Sequence, residues 1–403
     1  MRVTIKPGKA AGTISVPPSK SMAHRLLICA GLSQGITHIR NIALSEDILA
    51  TIDCLRALGI SCEINEDTVT VMGIDPQNAV PTQTLNCRES GSTLRFLIPT
   101  ALLCGQAVTF TGSEKLLTRP LDIYETLCAD MGYLFENSGK ELTVKGRLTG
   151  GTYHIPGNIS SQFITGLLLA LPLAEKDSRI HITTALESKS YIALTLQAMA
   201  AFGVHAYWQD SDTLMIPGSQ RYTGRNMTVE GDYSSAAFFA ALSALGGNIA
   251  ITGLTADSLQ GDKVFHQHLE SLCDGHPTID ISDCPDLGPI LFAVAAAKNG
   301  AVFTGTRRLQ WKESDRVAAM TQELAAFGTT VKVEENTVTV LPSGFHQPTS
   351  VLNGHNDHRI VMALAVLLTL TGGTIEGAEA VSKSFPDYFK KLQSLGIQTD
   401  III

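Results

Sequence analysis

One pattern of apolar and polar positions recurs six times along the chain: a short alternating stretch, a turn of small polar residues, then a long apolar run. Gly12-Thr13-Ile14-Ser15-Val16 leads to Ser19-Lys20-Ser21 and the run from Arg25 to Gly31. Leu85-Asn86-Cys87 leads to Glu89-Ser90-Gly91-Ser92 and Leu94 to Leu103. Tyr153-His154-Ile155 leads to Ser160-Ser161-Gln162 and Phe163 to Leu173. Met227-Thr228-Val229 leads to Asp232, Ser234-Ser235 and Ala236 to Leu245. Ile279-Asp280-Ile281 leads to Asp286 and Leu287 to Ala297, and Ser350-Val351-Leu352 leads to Asn356-Asp357-His358-Arg359 and Ile360 to Leu370. Alternation predicts a strand and the long apolar run a helix.

The pattern continues with a glycine stop and a hairpin. Leu58-Gly59 precedes Ser61 to Ile64 and Thr68 to Val71, and Phe327-Gly328 precedes Val331 to Val333 and Thr337 to Val340. Gly132 and Gly203 begin similar segments, with turns near Asn137-Ser138-Gly139 and Asp210-Ser211-Asp212. Leu395-Gly396 closes the series, and the copy at Leu272 to Gly275 is degenerate. A glycine just past a helix end supplies the left-handed residue that stops it. Each unit therefore reads βαβαββ over roughly 55–75 residues, longer than the common solenoid repeats. Runs such as Ile290 to Ala297 are apolar on every side, so these helices are expected inside a barrel or prism of sheets. The expected fold is α/β, with two domains of three units each. No low-complexity linker separates them, so the chain is expected to cross between domains through ordered strands.

Composition narrows the class. The chain has 403 residues, enough for two domains with substantial cores. Charged residues make up 17% and hydrophobic ones 44%, the balance of a globular protein. The net charge of −8 argues against nucleic acid as the main partner. The eight cysteines form no C-x-x-C pair, and the eleven histidines no H-E-x-x-H pattern, so neither a metal nor a disulfide framework is indicated. No glycine-rich nucleotide loop follows a strand, and no cofactor is expected. No apolar stretch reaches about 18 residues and no signal peptide opens the chain, which predicts a cytoplasmic protein.

The chemistry concentrates where turns enter the apolar helices. Helix starts expose unpaired N–H groups and the positive dipole end, which draw anions. Serines there are ordinary caps, but cations there oppose the dipole. Lys20, Ser21 and Arg25 share one helical turn. Gly91 lies in a small-residue turn that lets backbone N–H groups approach an anion. Ser160, Ser161, Gln162, Ser188, Lys189 and Tyr191 offer groups for a polyhydroxylated ligand, or simple capping. Taken in isolation, Lys312-Glu313-Ser314-Asp315-Arg316 reads better as salt-bridge lacing on an exposed helix. Asn356-Asp357-His358-Arg359 precedes a wholly apolar helix, so its charges are expected to be partly buried and to need partners. Lys383 sits in a loop that Phe385 and Tyr388 could anchor.

Taken together these segments resemble the 5-enolpyruvylshikimate-3-phosphate synthase family from Gly12 to Tyr388. The most specific pieces are Pro-x-Ser-Lys-Ser with Arg25, Ser160-Ser161-Gln162-Phe163, Glu230-Gly231-Asp232, Lys312 to Arg316, Asn356 to Arg359 and Lys383 to Tyr388. The resemblance implies two inside-out α/β prism (barrel) domains, the first comprising 1–18 and 228–403, the second 19–227, with the active site in the cleft between them. It implies transfer of the enolpyruvyl group of phosphoenolpyruvate to the 5-hydroxyl of shikimate 3-phosphate, in aromatic amino acid biosynthesis. The reaction runs by addition and elimination through a tetrahedral intermediate and releases phosphate. Shikimate 3-phosphate would be held by Lys20, Ser21, Arg25, Ser160, Ser161, Gln162, Ser188, Tyr191, Asp286 and Lys312. Phosphoenolpyruvate would be held by Lys20, Gly91, Arg119, Gln162, Arg316, Arg359 and Lys383. Asp286 would take the 5-hydroxyl proton, while Glu313 and Lys20 would serve the methylene carbon and the departing phosphate. Domain closure would assemble these groups, and the protein would act as a monomer.

Three positions depart from the family pattern. Its usual Asn-Ala-Gly-Thr is Glu89-Ser90-Gly91-Ser92 here, the Arg-Val before Lys312 is Gln310-Trp311, and an Asn four before that lysine is Arg308. The first is expected to alter sensitivity to glyphosate, which mimics bound phosphoenolpyruvate. The nearest rival, the sister transferase acting on UDP-N-acetylglucosamine, carries a cysteine shortly before the arginine matching Arg119; here Gly112 to Thr118 has none. An RNA-end-modifying enzyme on a similar repeat and a non-catalytic anion-binding protein are the more distant rivals.

Overall fold

A computed structural model describes residues 1–402, apart from 77, 78, 80, 82 and 343, and it resolves the repeat into sheets of one plan. Leu85–Asn86 runs parallel to Val108–Thr111, which pairs antiparallel with Glu141–Lys145, which pairs antiparallel with Leu134–Asn137. A helix makes the parallel crossover and a tight turn makes the hairpin, as the two pairings require. Thr152–Ile155, Ser178–Ile182, Thr213–Ile216 and Tyr207–Trp208 repeat the plan, and so do Thr278–Asp280, Ala301–Thr304, Thr337–Val340 and Val331–Glu334.

The chain divides into two compact units, Met1–Pro17 with Gly231–Ile403, and Pro18–Glu230. Each has its own apolar core. The helices between strands are buried nearly all round: Gly288–Ala297 from Gly288 to Ala296, and His358–Thr371 from His358 to Thr369. Strands alternate instead, as Leu142 and Val144 do against exposed Glu141 and Lys145, so the sheets carry the solvent face. Among the described residues no sheet closes into a barrel. No helix among them is long and apolar enough to cross a membrane.

Two strands pair away from the helix that each leads to. Ala11–Ser15 does not join the sheet beside the Lys20–Gly31 helix that follows it; it runs parallel to Asn248–Thr252 in the other unit. Met227–Thr228 likewise pairs with Ile39 and Arg40, although the helix it leads to, Tyr233–Ala244, belongs to the other unit. Each crossing therefore falls between a strand and its helix. Alternation marks a strand but carries no information about its parallel neighbour. The Leu352–Asn353 unit shows the same economy. In place of a hairpin it has Thr399–Ile402 and the N-terminal strand Arg2–Ile5, which pairs with both Thr399–Ile402 and Gly373–Glu376.

Candidate active site

In the Pro18–Glu230 unit the helices Lys20–Gly31, Gly91–Leu103 and Ser161–Ala170 begin with serine caps. Ser19, Ser90 and Ser160 accept from the backbone N–H of Met22, Thr93 and Gln162. Lys20, directly after its cap, donates to Asp47 Oδ2 at 2.8 Å. One turn on, Arg25 is buried and bonded to Thr195 Oγ1 at 2.9 Å, to the Tyr191 carbonyl at 3.0 Å and to the Ser21 carbonyl at 2.6 Å. Its guanidinium lies 5.2 Å from the Phe96 ring and 5.9 Å from the Tyr191 ring. Burial pulls Arg25 down to about 10, so it stays charged at neutral pH.

A second group of cations meets at Gly91. A Cβ built there would stand 3.0 Å from Arg119 Nη1, 3.2 Å from Arg95 Nη1 and 3.7 Å from Gln162 Oε1. Arg95 Nη1 donates to Gln162 Oε1 at 2.7 Å, and Gln162 Nε2 to Ser92 Oγ at 3.0 Å. The absent side chain thus leaves two guanidinium groups and an amide around an open helix start. Ser161 is buried and Ser160 half-buried. Ser188, also buried, adopts a left-handed φ of 56° at the start of Lys189–Ala201, a strained conformation for a residue with a Cβ. Lys189 is exposed, its ammonium 5.5 Å from the Trp208 ring.

In the other unit three helices are capped by aspartates: Asp232, Asp315 and Asp357 accept from Ser235, Ala318 and Arg359 N–H. The cluster is organised around Arg316, 1% exposed. It donates to Asp357 Oδ2 at 2.9 Å, Asp286 Oδ1 at 2.9 Å and Glu313 Oε2 at 2.7 Å. Burial alone works against its charge, but Asp357, Glu313 and Asp286 outweigh it and raise its pKa. Asp357 is fully buried, which disfavours its charge; Arg316 prevails and holds it below the usual carboxylate range. Ser314 Oγ completes that site at 3.0 Å.

Asp286 itself, in the short turn Pro285–Leu287, is surrounded by cations. Arg316 and Arg359 reach its two oxygens at 2.9 and 2.8 Å, and Lys312 Nζ lies at 3.4 Å. Burial lowers the Lys312 pKa; Asp286 opposes this, while Arg316 and Arg308 add to it. Lys383 Nζ donates to the Asn356 carbonyl at 2.6 Å. Asn356 and His355 hold φ of 51° and 50°, two consecutive left-handed residues at this turn. Arg308, which replaces the family's asparagine, is buried and donates to the Ser282 carbonyl.

The sequence-chosen residues thus fall into two groups: Lys20, Ser21, Arg25, Gly91, Arg119, Ser160, Ser161, Gln162, Ser188 and Tyr191 in one unit, and Asp286, Lys312, Glu313, Arg316, Arg359 and Lys383 in the other. Three residues escaped the sequence reading. Asp47 follows Ser45 and reads as a helix-start acid, and Arg95 falls inside an apolar run. Asp262, 5% exposed, follows Gln260-Gly261 outside every apolar run. Among the described residues no group of three His, Cys, Asp or Glu is arranged to hold a metal ion.

Comparison with known proteins adds an independent line. Residues 5–392 match the family described as EPSP synthase (3-phosphoshikimate 1-carboxyvinyltransferase). A protein of Clostridium novyi named 3-phosphoshikimate 1-carboxyvinyltransferase is 40% identical over 425 aligned positions, covering 98% of this chain and 97% of that one. One of the same name from Clostridioides difficile is 38% identical, covering 98% of each. Among solved structures, EPSP synthase of Acinetobacter baumannii superposes with a TM-score of 0.81 at 24% identity, over 99% of this chain and 100% of that one. The enolpyruvyl transferase NikO of Streptomyces tendae gives 0.79 at 14% identity, over 99% and 98%. At those identities the two structures speak for the fold alone.

Proposed function

The chain belongs to the EPSP synthase family, and from that premise we propose how its two clusters carry out the 3-phosphoshikimate 1-carboxyvinyl transfer for which the family is named. Both substrates are polyanions, which accounts for buried cations in a protein of net charge −8. Lys20, Ser21, Arg25, Ser160, Ser161, Gln162, Ser188, Tyr191, Asp286 and Lys312 hold shikimate 3-phosphate. Lys20, Gly91, Arg119, Gln162, Arg316, Arg359 and Lys383 hold phosphoenolpyruvate. Bound together, the two lose the translational freedom that separates them in water, which is worth roughly 7–11 kcal/mol of barrier.

The observation that carries the reading is the coordination of Asp286. Both its oxygens are taken by guanidinium groups, and a lysine stands at 3.4 Å. An incoming phosphate or carboxylate competes for those cations. As they turn to the substrates, an Asp286 oxygen opens to receive the 5-hydroxyl proton. The hydroxyl oxygen then attacks C2 of phosphoenolpyruvate, and the methylene carbon takes up a proton. Glu313, 2.7 Å from Arg316, and Lys20, 2.8 Å from Asp47, serve that carbon and the departing phosphate. Elimination of phosphate and loss of one methyl proton restore the carbon–carbon double bond and give the enol ether product.

Phosphate release, followed with both substrates and with each alone, tests the activity; release only with both is expected. Asp286→Ala should weaken shikimate 3-phosphate binding by calorimetry far less than it lowers turnover, which should fall about 10²–10⁴-fold. Turnover within a few-fold of the parent would remove Asp286 from proton transfer. The protein is further proposed to work in the cytoplasm as a monomer, which light scattering during gel filtration checks.

A further inference from the structure

The helix Arg316–Ala326 carries a second buried charged residue besides Arg316. Glu323 is 4% exposed and is not among the residues proposed to hold either substrate. The two lie seven positions apart, two turns along one face of the helix. Both bond the same stretch of chain. Arg316 Nε donates to Asp357 Oδ2 at 2.9 Å. The Asn353 N–H donates to Glu323 Oε2 at 3.0 Å, and His355 Nε2 lies 2.7 Å from Glu323 Oε1. A carboxylate only accepts, so the ring hydrogen sits on that Nε2. Both oxygens of Glu323 are thereby engaged, and residues 353–357 are fastened to the helix at both ends.

The stretch between needs fastening. His355 and Asn356 hold φ of 50° and 51°, in the left-handed region that residues with a Cβ avoid. Such backbone persists only where its surroundings over-determine it. The Asn353 side chain contributes by accepting from the His355 N–H at 2.7 Å. Gly354 lets the chain pass close to the Gly377 carbonyl, whose oxygen would lie 2.8 Å from a Cβ there. The turn then presents two groups to the cation cluster. The Asn356 carbonyl accepts from Lys383 Nζ at 2.6 Å, and Asp357 accepts from the Arg359 N–H at 2.9 Å as well as from Arg316.

We propose that Glu323 is a positioning residue for the transfer: by gripping Asn353 and His355 it fixes the left-handed turn whose carbonyl sets where the Lys383 ammonium stands and whose aspartate caps the helix of Arg359. It acts through that turn and not on either substrate. This inference rests on the reading that Lys383 and Arg359 hold phosphoenolpyruvate.

Steady-state kinetics on the full chain test it, with thermal unfolding measured alongside. Glu323→Ala should raise KM for phosphoenolpyruvate about 10–100-fold, the effect of moving a ligand-holding group by about an ångström. KM for shikimate 3-phosphate should change by no more than about three-fold, since most of its proposed ligands lie in the other unit. His355→Ala removes one of the two grips and should raise the same KM less. The double variant should be no worse than Glu323→Ala, since both break one link. Glu323→Gln keeps an oxygen for the Asn353 N–H and an amide nitrogen for the other tautomer of His355, and should recover most of the loss. A defect confined to folding would lower the unfolding temperature and leave the ratio of the two KM values unchanged. The proposal is overturned if Glu323→Ala leaves KM for phosphoenolpyruvate unchanged, raises both KM values alike, or is not improved upon by glutamine. If Glu323→Ala fails to fold, His355→Ala decides by the same split. Lys383→Ala separates the inference from its parent: an unchanged KM for phosphoenolpyruvate there would refute the reading that Lys383 holds that substrate.

Discussion

Arg316 gathers three carboxylates onto one guanidinium, and Asp286 gathers three cations onto one carboxylate. Such a network is a poor stabiliser per charge, because every member pays for leaving water. Its proposed use lies in exchange, since a cation can trade a carboxylate partner for a substrate anion. Gly91 shows the opposite device, an absent side chain. Gly91→Ala sets a methyl 3.0 Å from Arg119 Nη1 and 3.2 Å from Arg95 Nη1. Displaced guanidinium groups should raise KM for phosphoenolpyruvate about ten-fold, with thermal stability kept; an unchanged KM would place the ligand elsewhere. His24 makes a pH prediction. It is buried, and burial, then Lys20 and Arg25, hold its pKa well below 6.5. Above pH 6.5 it is neutral folded or unfolded, so its stability contribution is complete. Below 6.5 the unfolded chain gains a proton that the folded chain refuses, and stability falls by up to ~1.4 kcal/mol per pH unit until the folded pKa is reached. Urea unfolding from pH 8 to 5 should show that slope reduced in His24→Asn; an equal slope would assign it to other groups. At this scale Lys20, Arg25 and Arg359 were legible, because a charge at a helix start or beside an apolar run is locally anomalous, whereas Arg119, Lys312 and Arg316 stood out only through the family resemblance. Their partners were not legible. Asp47 and Arg95 lie 27 and 67 positions from Lys20 and Gln162, the groups they bond.

Among the elements, the apolar helices had the clearest signature, since a run without a polar face can only be buried. How closely they approach depends on small residues whose reason is invisible in one dimension. A Cβ at Gly166 would lie 2.4 Å from Tyr124 Oη and 2.5 Å from the Arg95 carbonyl oxygen. Tyr124 Oη in turn bonds the Arg95 and Phe163 carbonyls at 2.9 and 3.0 Å, tying the Gly91–Leu103 and Ser161–Ala170 helices together. Gly166→Ala should therefore force those helices apart and cost about 1–3 kcal/mol of unfolding free energy. Because Gln162 and Arg95 face each other on the same helices, KM for phosphoenolpyruvate should rise as well. Full stability with normal kinetics would show that the contact relaxes freely.

For the whole chain, the two units differ in how they are assembled. Pro18–Glu230 is continuous, whereas the other unit combines residues 1–17 with 231–403. Its sheet places Arg2–Ile5 between Gly373–Glu376 and Thr399–Ile402. Pairing strands so far apart carries a large loop-closure cost. A fragment of residues 18–230 should unfold cooperatively by circular dichroism and urea titration. A fragment of 231–403 should not, because without Arg2–Ile5 and Ala11–Ser15 two of its sheets lose a strand that nothing else replaces. Cooperative unfolding of the second fragment would contradict this account.

The sequence by itself determined the six-fold repeat, the α/β class, the buried helices and the turns where charge collects, because periodicity and local charge are properties of neighbouring residues. Only the tertiary structure decided that Ala11–Ser15 and Met227–Thr228 each pair inside one unit while the helix each leads to belongs to the other, and that Asp286 is shared by three cations. Those facts join residues distant along the chain, and the free energy that selects such partners is released only when folding brings them into contact.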